Sequence, residues 1–231
     1  TIVWTPSGKV AEVIRIANSE KSDLEFRYDA MGNRIFKIEK VKNETGDILA
    51  PENWKTTYYS RDAQGNVMAT YTGNADANEN PANLELLELY MYGSSRLGSI
   101  DAEMESQNEA VRSATKYELT NHLGNVVAVI NNQKKPNNLD SDQYIDYFSP
   151  VIVSSTTYWT FGLPLEADNP QEYRFGFQGQ EKDNEWTGTE GSHLAFKYRI
   201  HDARIGRFLS IDPLTAKYPH NSPYAFVGNM P

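Results

Sequence analysis

Hydrophobic and polar residues alternate with a period of two along most of this chain. Leu24, Phe26 and Tyr28 are separated by Glu25 and Arg27, and Phe36 and Ile38 by Lys37 and Glu39. Alternation of that period predicts strands with one buried face. Between the two runs lies Asp29-Ala30-Met31-Gly32-Asn33. It recurs 33 residues later as Asp62-Ala63-Gln64-Gly65-Asn66 and, more loosely, as Asn121-His122-Leu123-Gly124-Asn125. A Gly-Asn pair supplies positive φ at low cost, so each unit predicts a β-hairpin with a loop of about four or five residues. Gly32, Gly65 and Gly124 are the expected positive-φ turn positions. Thr57–Tyr71 and Tyr117–Ile130 make the second and third hairpins.

Helical periodicity is poor throughout. Over Ala82–Tyr92 the alternation of Leu87, Leu89 and Met91 with Glu88, Tyr90 and Tyr92 favours a strand over a helix. Three polar stretches, Gly73–Asn83, Asp101–Ser113 and Lys134–Asp142, read as long loops. Past Pro150 the texture changes to aromatic-basic alternation. Tyr173–Glu181 and Phe196–Arg199 predict two further strands, separated by a loop around Trp186. Gly206–Pro213 then leads into a Pro-rich tail expected to be extended, because the residue before each Pro is pushed away from the helical region.

Composition narrows the function classes. The 231 residues carry 31 acidic and 22 basic side chains, a net charge of −9, which argues against nucleic acid as a partner. Cysteine is absent, removing disulfides, thiolate metal sites and cysteine nucleophiles together. The longest aliphatic run, Val126–Ile130, falls far short of the roughly 20 residues a membrane-spanning helix needs. Thr1–Pro6 shows neither an initiator Met nor a signal peptide, and the chain reads as a piece of something longer. The histidines His122, His193, His201 and His220 lack metal-site spacing, and no phosphate-binding glycine loop is present, so neither metal nor cofactor is expected. His201-Asp202 suggests a triad only weakly, because no marked nucleophile accompanies it. The 14 Tyr and 4 Trp allow a glycan-binding face, although cross-strand packing is the commoner reason for such residues.

Several motifs together carry a family likeness. Tyr28-Asp29-x-x-Gly32-Asn33-Arg34 resembles the tyrosine-aspartate (YD) repeat. His122-Leu123-Gly124-Asn125, Phe161-Gly162, Phe175–Glu181 and Gly206-Arg207-Phe208-Leu209-Ser210-x-Asp212-Pro213 resemble, in that order, the RHS repeat-associated core domain, and the likeness covers about residues 24–231. The form with Tyr218-Pro219 and Ser222-Pro223-Tyr224 is similar to surface or secreted proteins of Bacteroidetes-type bacteria.

The resemblance implies an all-β fold of antiparallel hairpin repeats forming part of a spiralling β-shell. Residues 1–150 would be the YD-repeat-like region and 151–231 the core-associated region, continuous with the first. It implies a shell segment that encloses or carries a variable C-terminal cargo such as a toxin, reaching the cell surface or exterior within a larger bacterial protein. Its partners would be the remainder of the shell and that cargo. In several members of the family the core cleaves the chain just downstream with paired aspartates. Carried over, Asp212 matches the first of them and Arg207 the arginine before it; Thr215 stands where the family has Gly, and a second Asp motif is expected beyond Pro231. Aspartyl chemistry needs two carboxylates sharing one proton. Asp212 has a second reading as a turn cap before Pro213, and Arg207 as a strand residue on a solvated face. Two alternatives to the shell reading are an active self-cleaving protease core and an adhesive or glycan-binding module.

Overall fold

The computed structural model describes residues 1–102, 115–140, 144–169 and 173–229. It is all-β, with antiparallel pairing throughout, and the twelve strands of its large sheet lie in the order of the chain. These are β1 (Ile2–Trp4), β2 (Val10–Val13), β3 (Asp23–Tyr28), β4 (Arg34–Lys40), β5 (Lys55–Arg61), β6 (Val67–Ala75), β7 (Pro81–Tyr92), β8 (Arg96–Asp101), β9 (Thr115–Thr120), β10 (Val126–Asn137), β11 (Tyr147–Tyr158) and β12 (Pro164–Asp168). A second sheet joins β13 (Glu181–Lys182), β14 (His193–Ala195), β15 (Ile200–Asp202) and β16 (Arg207–Phe208).

One turn geometry recurs along the meander. In Asp29–Asn33 the Asp29 amide donates to the Asn33 carbonyl at 2.9 Å, and the Gly32 amide to the Asp29 carbonyl at 3.0 Å. The Asp29 carboxylate accepts from the Asn33 amide at 2.7 Å and from its side chain at 2.9 Å, closing the loop on itself. Asp62–Asn66 and Asn121–Asn125 repeat the backbone bonds, and Gly32, Gly65 and Gly124 have φ of 78°, 92° and 79°. The same backbone pair closes Thr5–Lys9, Asn43–Asp47 and Asp76–Asn80, where the first side chain again accepts from the fifth amide, and Trp159–Leu163 and Gly176–Gln180, where no such side chain is present.

A bulge follows most of these turns. Tyr28 pairs with Arg34 but Arg27 pairs with Phe36, so Ile35 is unpaired. Ala11, Met68, Leu97, Val127 and Leu165 are skipped in the same way, each the second residue of its strand. A bulge re-aims the side chain beside it. The first strand residues Val10, Arg34, Arg96 and Val126 accordingly meet the segment after Tyr173, which packs on the sheet. Val10, Leu24 and Phe26 join Trp186 and Ile200 in one cluster, and Tyr90, Val126 and Val129 join Tyr173 and Phe175 in another.

Several sequence expectations need correction. Gly73–Ala75 and Pro81–Asn83 belong to strands, and only Asp76–Asn80 forms a turn. Lys134–Asn137 likewise extends β10, paired with Tyr147–Pro150. Both are hairpin tips with few apolar side chains, Ala75 being the buried one of the first, so backbone pairing there leaves no hydrophobic alternation. Of Asp101–Ser113, Asp101 ends β8, and residues 103–113 lie outside the described residues, as do residues 141 and 142. Tyr173–Glu181 is interrupted by the turn at Gly176–Gln180. Phe196–Arg199 is a tight turn between β14 and β15, closed by the Phe196 amide on the Arg199 carbonyl at 3.1 Å. The tail forms short 3-10 turns at Thr215–Lys217 and Val227–Asn229 rather than running extended.

Charged side chains bind the sheet to the segment it carries. Buried Arg34 donates to both oxygens of Asp183 at 2.8 Å, and buried Lys37 meets Glu185 at 2.7 Å. Arg174 bridges Glu88 at 2.8 Å and Glu181 at 3.1 Å, while the hydroxyls of Tyr59 and Tyr90 donate to Glu181 and Glu88 at 2.7 Å. Burial alone would raise the Glu181 carboxyl, but Lys37, Arg174 and Arg34 outweigh it and lower it to about 2.

Two substitutions test this architecture. Arg34→Met strands Asp183 without its partner and is expected to cost about 3–5 kcal/mol in urea unfolding, part of which Asp183→Leu in the same chain restores. Gly65→Val places a branched side chain at φ 92°, with its Cβ 3.1 Å from the Asn33 side-chain oxygen. A loss of about 1–3 kcal/mol is expected on thermal or urea denaturation.

Candidate functional site at the C-terminal turn

The second sheet leads the chain to Asp212. β15 and β16 are joined through Gly206, at φ 64°, where an added Cβ would lie 2.8 Å from the Phe161 ring. β16 ends at Phe208, and the chain bends at Leu209 and Ser210. The tail then returns alongside it: Ala225 bridges Arg207, the Phe208 amide donates to the Tyr224 carbonyl at 3.1 Å, and the Asp212 amide to the Pro223 carbonyl at 2.9 Å.

The Asp212 carboxylate has two jobs in this arrangement. One oxygen accepts from the Leu214 amide at 2.8 Å, while the Thr215 amide donates to the Asp212 carbonyl at 3.0 Å, capping the turn through Pro213. The other meets the Arg199 guanidinium at 2.7 Å. Arg199 lies over the Phe208 ring, 3.7 Å from its centroid. Burial lowers the Arg199 pKa and the Asp212 charge opposes that shift. The pair opens on a cavity of about 230 Å³ whose wall includes Thr215, Tyr218, Asn221 and Ser222, with Asp212 its only acid among the described residues.

Arg207 is placed differently. Its side chain is exposed and has no hydrogen-bond or ion-pair partner among the described residues. The bend that would let Arg207 and Asp212 cooperate is present, but the guanidinium on Asp212 belongs to Arg199, a residue the sequence reading assigned to a strand and gave no role. Only tertiary folding joins the two; no spacing rule links a turn arginine to an aspartate across a neighbouring hairpin.

The histidines are embedded in packing. His201 donates from Nε2 to the Phe161 carbonyl at 2.9 Å and lies 4.2 Å from the Phe226 ring centroid. Asp202 pairs with Arg204 at 2.6 Å and lies 3.6 Å from His193 Nε2. Ser192 Oγ is 3.0 Å from His193 Nδ1, an order that looks like a nucleophile relay. Ser192 is completely buried, however, and its hydroxyl is shared with Thr187 at 2.6 Å, so no substrate reaches it. His122 is exposed on the third turn, and His220 stands edge-on to Tyr218. Among the described residues no group of three His, Asp or Glu side chains converges as a metal site, and no helix is long and apolar enough to cross a membrane.

No family model and no curated protein matches the sequence. Solved structures do. The fold recurs in TcdB2–TccC3. Its crystal structure matches 99% of this chain at a TM-score of 0.64 and 15% identity. The form without the hypervariable C-terminal region gives 0.62 at 18% identity, and the Tc holotoxin pore of Photorhabdus luminescens 0.61 at 14%, each again over 99% of this chain. The chain spans only about a tenth of the length of those chains. At such identities the likeness is one of fold: a meander of antiparallel hairpins of the kind that winds into a β-shell.

A pH dependence follows from the buried imidazoles. Burial lowers the His193 pKa from 6.5 to about 4; Asp202 opposes the shift, and Arg204, His201 and Arg15 reinforce it. A depressed histidine leaves stability intact above its unfolded value and removes it as pH falls toward the folded one. Unfolding free energy should therefore drop between about pH 6.5 and 4, by up to about 3 kcal/mol from this group. Urea titrations across that window should show a shallower slope for His193→Gln.

Proposed function

We propose that this chain is a wall segment of an RHS/YD-type β-shell that carries a downstream cargo polypeptide, with Asp212 as one carboxylate of its autoprocessing site. The observation that carries the reading is the fold, shared over 99% of the chain with TcdB2–TccC3, whose own hypervariable C-terminal region was left out of one of its crystal structures. The buried ionic contacts support it, because they fix the segment after Tyr173 on the sheet and thereby hold the approach to Asp212 in register with the wall. The shell reading also assigns the chain to a larger exported bacterial protein, at the cell surface or outside it.

In this reading Arg199 positions Asp212, while a second acid from the polypeptide beyond Pro231 supplies the shared proton. Arg207, exposed beside the returning tail, contacts the passing chain. An ionised carboxylate so held activates water against a peptide bond, and its protonated partner donates to the departing amine.

Asp212→Asn in the full-length parent is the test. An amide cannot accept the proton from the attacking water, so downstream cleavage should fall at least about a hundredfold while circular dichroism and melting stay near those of the parent. Cleavage at the parental rate, followed by gel and mass spectrometry, would reject Asp212 as the acid.

A further inference from the structure

A second cavity, of about 330 Å³, lies where the first two repeat turns face the turn between β14 and β15, and Asp212 does not line it. Its wall holds six cationic side chains, Lys9, Arg34, Arg61, Arg96, Lys197 and Arg199, against a single acid among the described residues, Glu181. In a chain of net charge −9 this is a local inversion of sign.

Three of the six cations are already neutralised. Arg34 is held by Asp183, Arg96 by Glu118 at 2.6 Å and Arg199 by Asp212. The other three have no carboxylate within 4 Å among the described residues. Arg61 spends its donors on the carbonyls of Arg34 at 3.0 Å and Gly65 at 2.7 Å. Lys9 donates to the carbonyls of Gly32 and Lys197 and lies 4.9 Å from the Tyr28 ring centroid and 5.6 Å from that of Tyr198. The Lys197 ammonium is exposed and lies 5.7 Å from the Tyr198 ring centroid, with no ion-pair partner among the described residues.

Lys9 makes the site specific. It is only 7% exposed, and burying an ammonium without a counter-charge is costly. An ammonium has three donors and the two carbonyls take two, leaving one for the cavity. Burial lowers the Lys9 pKa and Arg34, Lys197 and Arg61 repel its charge further, opposed by Asp29, which does not reach it as an ion-pair partner. A carboxylate placed among Lys9, Arg61 and Lys197 would relieve that repulsion and complete the hydrogen bonding.

We propose that this cavity binds the carboxylate of an acidic polypeptide segment. The remainder of its wall suits a peptide: the Asn33, Gln64, Asn66 and Gln180 amides can pair with backbone groups, and the Tyr28 and Tyr198 rings give flat apolar contact. The volume, at the low end for ligand pockets, fits one acidic side chain with its flanking backbone better than a large cofactor. The site is independent of cleavage at Asp212, so either proposal can fail without the other.

The test is calorimetric titration of the chain at low salt with a capped Ala-Glu-Ala-Glu-Ala peptide, with free glutarate and with inorganic phosphate. One-to-one binding of the peptide is expected, weakened about tenfold by Lys197→Gln or by Arg61→Gln and falling with added salt. Lys9→Met should abolish it; because that variant changes a buried residue, the exposed Lys197→Gln serves as the independent measure. Peptide binding should also raise the melting temperature in the parent but not in the variants. Glutarate binding without peptide binding would overturn the polypeptide source. Phosphate binding more tightly than either would overturn the carboxylate, and absence of binding by folded chain would overturn the site.

Discussion

The structure depends on charge buried between the sheet and the segment that lies on it. Arg34 grips Asp183 with both nitrogens, and Arg174 spans Glu88 and Glu181. Such pairs are poor sources of net stability, because desolvation consumes most of the attraction. What they provide is exclusivity. A shift of the carried segment by one residue would leave several buried charges without partners at once, whereas the apolar contacts of Trp186 and Phe175 would tolerate sliding. The network therefore sets where the second sheet begins and, through it, the position of Asp212.

That constraint works because the wall delivers its charges at regular places. The turns close through backbone bonds, and where a bulge follows it aims the first residue of the next strand at the carried segment. Arg34 and Arg96 hold equivalent positions in two repeats and perform related tasks: one donates to Asp183, the other to the Gly179 carbonyl at 3.0 Å while lying over Phe175. Val10 and Val126 occupy the same place elsewhere and contribute apolar contact instead. A single local geometry thus serves two kinds of docking, and side-chain chemistry at one position per hairpin selects between them.

Legibility followed the same division. The Asp-x-x-Gly-Asn turns could be read because side chain and backbone act together there: Asp29 and Asp62 accept bonds that only a short acceptor at the first position can take. Trp159–Leu163 and Gly176–Gln180 close with backbone bonds and offer no such side chain, so only Gly162 and Gly179 mark them. The hairpin tip at Lys134 reads as a loop because a paired strand with solvent on both faces has no reason to alternate, and the one at Ala75 because a single small buried residue among polar neighbours makes no alternation. Aromatic-basic alternation at Phe196–Arg199 reads as a strand, but the chain turns there, leaving Lys197 and Tyr198 exposed at the tip and Phe196 and Arg199 half-buried at its base. The bulges leave no local mark, and the ionic network could not be read at all, since Arg34 and Asp183 stand 149 residues apart.

Arg199 shows why the candidate site was only half visible. Asp212 stands out in sequence because Asp-Pro has local chemistry, and its turn-capping bond to Leu214 is that chemistry realised. The cap uses one oxygen and leaves the other free to meet a cation. Arg207 is the arginine the family resemblance implies, but its strand is paired with the returning tail and its side chain is exposed. Arg199 reaches Asp212 because the turn after β14 brings it over Phe208, where a guanidinium can rest flat on a ring and still extend to a carboxylate. Lysine could not do both. The same guanidinium also forms part of the wall of the larger cavity, where its pairing with Asp212 leaves Lys9, Arg61 and Lys197 to carry the unbalanced charge. The two cavities thus share one side chain, and its ion pair with Asp212 is what separates the chemistry of one from that of the other.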